Sequence, residues 1–159
     1  ASADHRQMEP LKTANLLDGS TFDFASNVLV LITRAKGPVD AIDDLASPGV
    51  KIILAQNGVP AGDYSRQVLN NLSLTNRSFK ENVLSNLVSE EPNVRNVAQK
   101  VALGEVDAGF VYRTDVNTAH GNGNIHVIEF PKGSNVWVEY PIAILKHSGE
   151  KVLAKEFLD

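Results

Sequence analysis

Val28-Leu29-Val30-Leu31-Ile32-Thr33 is an unbroken run of apolar and β-branched residues. A strand with one wet face alternates apolar and polar side chains, and this run offers water nothing on either side. It therefore needs cover above and below, which in a chain of 159 residues means helices on both faces of a sheet. The flanking segments can supply them. Apolar runs at Ile52-Ile53-Leu54-Ala55 and at 106–112 read as further buried strands, while 86–89 and 125–130 read as shorter ones. Between them, Val94, Val97, Ala98, Val101 and Ala102 fall at i, i+3, i+4, i+7 and i+8, the strongest amphipathic helix in the chain, and Gly104 ends it. Met8, Leu11 and Leu16 give a weaker face to a first helix, with Ser2 or Asp4 as its cap. Residues 40–46, 79–84 and 113–119 suit short helices or turns, and 150–158 a final helix. His120-Gly121-Asn122-Gly123-Asn124 is a loop by composition. Residues 136–145 are extended, with Pro141 demanding an edge or a bend. This alternation predicts an α/β chain with a mostly parallel sheet.

In such sheets a ligand sits beyond the carboxyl ends of the strands, where helices begin. The strand at 52–55 is followed by Gln56-Asn57-Gly58 and then by Val59-Pro60-Ala61-Gly62-Asp63-Tyr64, with Tyr64, Val68 and Leu72 at helical spacing. The first N–H groups of a helix lack internal partners, and the helix dipole adds positive potential there. A helix start made of Pro60, Ala61 and Gly62 carries little side chain, so it can seat an anion, or it can simply pack closely against the strand. Asn93-Val94-Arg95 repeats the pattern, Ser2-Ala3-Asp4 stands before the first helix, and Tyr112 ends its own strand. Taken alone, Tyr112 also reads as a core residue with its hydroxyl at the surface.

The chain has no cysteine, which removes disulfides, thiolate metal sites and thiol nucleophiles together. Its net charge of −4 leaves no electrostatic footprint for nucleic acid or a membrane surface. Any anion it binds must therefore be held by local hydrogen bonds. No apolar run is long enough to span a membrane. The histidines at 5, 120, 126 and 147 have no ligand spacing and are expected at the surface. Neither a lysine phosphate loop, nor G-x-G-x-x-G, nor G-x-S-x-G occurs, and Glu90-Glu91 before a helix complement its dipole. The expectation is a binding protein and not an enzyme, with no cofactor.

Several segments, in order, resemble the periplasmic molybdate-binding protein family, the solute receptors of molybdate ABC transporters. They are Ala1-Ser2-Ala3-Asp4, Asn27-Val28-Leu29-Val30-Leu31-Ile32, Val59-Pro60-Ala61-Gly62-Asp63-Tyr64, Asn93-Val94-Arg95, the stretch 104–115 and Val138-Glu139-Tyr140-Pro141-Ile142-Ala143. The resemblance implies a two-lobed periplasmic-binding-protein-like (type II) fold that clamps a tetrahedral oxyanion, molybdate or tungstate. It implies donors from the Ser2 hydroxyl and N–H, from the backbone N–H groups of Ala61 and Val94, and from the Tyr112 phenol. The metal would arrive as its oxyanion, with no protein ligand of its own. It further implies a periplasmic setting and a membrane permease as partner, without membrane insertion or nucleic acid. A ligand-sensing effector domain of a transcription regulator, built on the same fold, is the alternative.

The family has a further strand and helix ahead of the Ser2 segment, including another serine donor. This chain is therefore expected to be truncated at both ends. Its lobes are expected at 1–34 with 138–159, and at 35–137, with 28–33 and 138–145 together near the crossovers. The lobe built from the chain ends is expected to be frayed, or completed by a partner chain or a missing fragment.

Overall fold

The computed structural model describes residues 1–119 and 125–158; the expected loop at 120–124 lies outside the described residues. The elements run α1 (His5–Thr13), β1 (Phe22–Arg34), a 3-10 turn (Ile42–Ala46), β2 (Ile52–Ala55), α2 (Pro60–Leu72), α3 (Phe79–Ser85) and β3 (Leu87–Glu91). Then come α4 (Val94–Ala102), β4 (Ala108–Tyr112), a second 3-10 turn (Arg113–Asp115), α5 (Val116–Ala119), β5 (Ile125–Glu129), β6 (Trp137–Ile142) and α6 (Lys151–Leu158). They form two compact units, residues 27–137 and residues 1–26 with 138–159. The first join thus falls after Ser26, and residues 28–33 belong to the middle unit rather than with the chain ends, as the sequence had suggested.

In the middle unit the strand order is β3-β2-β4-β1-β5. The apolar run of β1 is buried on both sides, as its composition requires. Leu29 and Leu31 pack with Val68 and Leu69 of α2 and Phe79 and Val83 of α3. Val30 and Ile32 pack on the opposite face with Val97, Ala98 and Val101 of α4. Gly109 of β4 lets α4 settle onto the sheet, since a Cβ there would meet Val97 Cγ1 at 2.5 Å.

The sheet is mixed rather than mostly parallel. β2 runs parallel to β3 and β4, but β1 is antiparallel to both β4 and β5. Alternation along the chain shows which elements exist and leaves open which become neighbours. Here β1 skips β2 and pairs with β4, reversing the direction at that position. At the edge away from the helix starts, Asp107 ties three strands together. Its carboxylate accepts from Arg34 Nε at 2.6 Å and from the Lys51 N–H at 2.8 Å, and its carbonyl accepts from the Arg34 N–H at 3.0 Å.

The unit made of the chain ends holds α1, the start of β1, β6 and α6. Asp4 caps α1, its carboxylate accepting from the Gln7 N–H at 2.7 Å. The segment after α1 pairs with the segment after β6: the Asp18 N–H donates to the Ile144 carbonyl and the Lys146 N–H to the Leu16 carbonyl, both at 2.8 Å. Its apolar cover is thin. α6 buries no residue, and Phe22, Phe24, Leu153 and Phe157 are all exposed.

Candidate functional site

The site is built where three parallel strands of the middle unit end. Ala55 of β2 stands opposite Glu91 of β3, and Ile53 opposite Gly109 of β4. The Gln56 N–H donates to the Glu91 carbonyl at 2.8 Å and carries the pairing one residue further. The start of α2, the start of α4 and Tyr112 at the end of β4 therefore emerge at one carboxyl edge. α2 and α4 lie on opposite faces of the sheet, so their first turns flank the crevice that the reversal of crossover direction creates.

Between β2 and α2 the chain turns tightly. The Gly58 N–H, at a φ of 86° that favours glycine, donates to Asp63 Oδ1 at 2.7 Å. Asp63 thereby spends its charge on the turn, near the positive end of α2. Val59 caps α2 without a side-chain acceptor, and Pro60 removes one donor that would otherwise need one. Ala61 is buried, and its N–H falls among the first-turn groups with no intrahelical acceptor.

Gly62 explains why the helix starts so close to the strand. A Cβ at that position would lie 2.0 Å from the Gln56 carbonyl oxygen and 2.5 Å from that of Ala55. Close packing, one of the two readings of this small-residue pair, thus holds for Gly62. Arg66 braces the same junction, donating from Nη1 to the Gly62 carbonyl at 2.9 Å and the Ala55 carbonyl at 3.2 Å, while Nη2 pairs with Glu90.

α4 begins differently. Asn93 caps it, its side-chain oxygen accepting from the Asn96 N–H at 3.0 Å. That bond serves the third position and leaves the N–H groups of Val94 and Arg95 without an intrahelical acceptor. Glu91, just before it, is not a dipole complement as the sequence suggested; it is buried in β3. Its carboxylate accepts from Lys100 Nζ at 2.6 Å and Ser89 Oγ at 2.7 Å, and Lys100 holds its pKa below the usual value, with Ser89 next in effect.

Tyr112 is half-buried, stands opposite Leu29 and leads into the 3-10 turn that carries Asp115. Burial pushes the Asp115 carboxyl above its ordinary range, against the opposing pull of the Arg95 charge and of a hydrogen bond to the Tyr112 backbone.

Of the four residues expected to hold an anion, Ala61, Val94 and Tyr112 share this edge. Ser2 belongs to the other unit, where its N–H donates to the Pro141 carbonyl at 2.8 Å. That N–H is committed to the backbone, leaving the Ser2 hydroxyl as its remaining donor. Sequence reasoning missed Arg66, which stands eleven residues from Ala55 and braces it only once α2 has folded back onto β2. It also missed that His5 meets Asp23 and Glu139, which no local spacing could reveal.

A family model described as bacterial extracellular solute-binding protein matches residues 1–159. The chain is 32% identical over 160 residues to the molybdate-binding protein ModA of Mycobacterium bovis, a match covering 99% of this chain and 57% of that protein. It thus spans little more than half the length of that relative. Among solved structures, it is similar to a substrate-binding domain from Clostridium difficile assigned to a molybdenum ABC transporter, with a TM-score of 0.75 and 33% identity over 98% of this chain and 66% of that one. It is also similar to the periplasmic molybdate-binding protein of Azotobacter vinelandii, with a TM-score of 0.70 and 26% identity over 99% of this chain and 68% of that one.

Proposed function

Matched from end to end by that family model, the chain belongs to the bacterial extracellular solute-binding proteins, and on this premise we propose that it holds a tetrahedral oxyanion, molybdate first, for an ABC importer. The observation that carries the reading is the convergence of two helix starts and Tyr112 at one carboxyl edge, together with relatives that are named for molybdate. The Ala61 and Val94 N–H groups and the Tyr112 hydroxyl donate to the ion. These donors are uncharged, so they compensate a desolvated dianion without a positive field that would draw every carboxylate. A protonated oxyanion fares worse: hydrogen phosphate would turn its own O–H toward a donor. Tungstate matches molybdate in charge and nearly in size, and the site takes both.

The reading is of a receptor and not a catalyst. It works outside the cytoplasmic membrane and passes its ion to a permease there. No described helix is long and apolar enough to cross a membrane. The test is calorimetric titration with molybdate, tungstate, sulfate and phosphate, on this chain and on one extended to its relatives' length. Molybdate and tungstate should bind alike, with phosphate at least about 100-fold weaker, the cost of one or two mismatched hydrogen bonds to a charged group. Phosphate binding as tight as molybdate would overturn the reading, as would an extended chain that binds none of the four.

A further inference from the structure

His5, Asp23 and Glu139 come from three separate elements, the start of α1, the start of β1 and the middle of β6, and all belong to the unit of the chain ends. His5 Nε2 lies 2.7 Å from Asp23 Oδ1 and 3.8 Å from Glu139 Oε2, and one ligand atom from each residue lies within 4.8 Å of the other two. About half of each side chain is open to solvent (53%, 41% and 47%), so an ion can reach all three. The neighbouring carboxylate, Asp4, is occupied in capping α1 and takes no part.

We propose that these three residues bind a divalent first-row transition-metal ion, with zinc as the ion that best fits them. An imidazole nitrogen with two carboxylate oxygens is a borderline donor set, which suits such an ion better than magnesium or calcium, whose shells are all oxygen. Zinc bonds of about 2.0–2.2 Å set tetrahedral ligand atoms roughly 3.3–3.6 Å apart. The His5–Asp23 and His5–Glu139 separations bracket that range, and half-exposed side chains can close the difference by small rotations. Two carboxylates facing each other carry a charge of −2, which a dication neutralises, and water completes the shell. The consequence is structural. This unit joins its elements with little buried apolar surface, and an ion held by α1, β1 and β6 at once would staple them together. The inference does not depend on the oxyanion reading.

The test is calorimetric titration of chelator-treated protein with zinc chloride, alongside the exposed-site variants His5→Ala, Asp23→Asn and Glu139→Gln. The expected result is one ion per chain, binding at least about tenfold weaker in each variant, and a zinc-dependent rise in Tm that the variants lose. Cobalt(II) should give the intense visible absorption of a four- or five-coordinate ion. No binding up to about 1 mM zinc, wild-type affinity in all three variants, or a cobalt spectrum like that of the free aqueous ion would each overturn the proposal.

Discussion

At Tyr112 a single functional group can be removed while the ring is kept. Tyr112→Phe keeps the ring against Leu29 and deletes only the hydroxyl. If that hydroxyl donates to a charged ligand, affinity for molybdate falls by about 1.5–3 kcal/mol, or roughly ten- to 150-fold; an unchanged titration would make Tyr112 a packing residue. Gly62→Ala acts through shape. Its methyl must push the first turn of α2 away from the Gln56 carbonyl, lowering stability by about 1–3 kcal/mol by thermal unfolding and weakening the ion with it. Stability equal to wild type would mean that the junction has room that the present geometry denies. Thr33 runs the other way. Its hydroxyl is fully buried and, among the described residues, has no hydrogen-bond partner. Thr33→Val keeps the shape and should raise stability by about 1 kcal/mol, whereas a loss would point to a water that satisfies the hydroxyl. None of these three environments can be read from composition, because each depends on an atom brought close by the fold.

At the scale of elements, much of the middle unit was legible. The run at 28–33 declared burial on both faces, and the spacing of Val94, Val97, Ala98, Val101 and Ala102 declared the helix that covers one of them. β1 nevertheless begins at Phe22, six residues before that run, because Phe22 and Phe24 alternate in a polar stretch whose period was easily overlooked. The role of Glu90 and Glu91 was hidden for another reason. Their carboxylates depend on partners in other elements, Arg66 from α2 and Lys100 from α4. The Glu91–Lys100 link between β3 and α4 predicts a pH dependence. Its folded pKa lies below the unfolded value near 4.5, so the stability it contributes is present above that value and is lost as pH falls through the folded pKa. Unfolding measured across the acid range should therefore show a decline that Glu91→Gln flattens; identical slopes for the two proteins would remove Glu91 as a source.

For the whole molecule, the two units should behave unequally. The middle unit has buried apolar clusters on both faces of its sheet, while the other leaves Phe22, Phe24, Val152, Leu153 and Phe157 exposed. Hydrogen exchange should accordingly protect β1, β2 and β4 of the middle unit for much longer than α1 and α6, whereas equal protection would show that burial does not govern opening here. The sequence reading anticipated weakness in that unit, yet it assigned residues 28–33 to it. Its apolar run looked like a crossover segment, and only the pairing with β4 and β5 shows where it packs. The central claim is narrower than either unit: backbone N–H groups at the starts of α2 and α4 hold the oxyanion. The most direct measurement is the amide proton–nitrogen NMR spectrum of the labelled chain during a molybdate titration. The Ala61 and Val94 amides are expected to shift together, with one saturation curve, and phosphate at the same concentrations should leave both in place. Binding that moves amides elsewhere while these two stay fixed would contradict the claim.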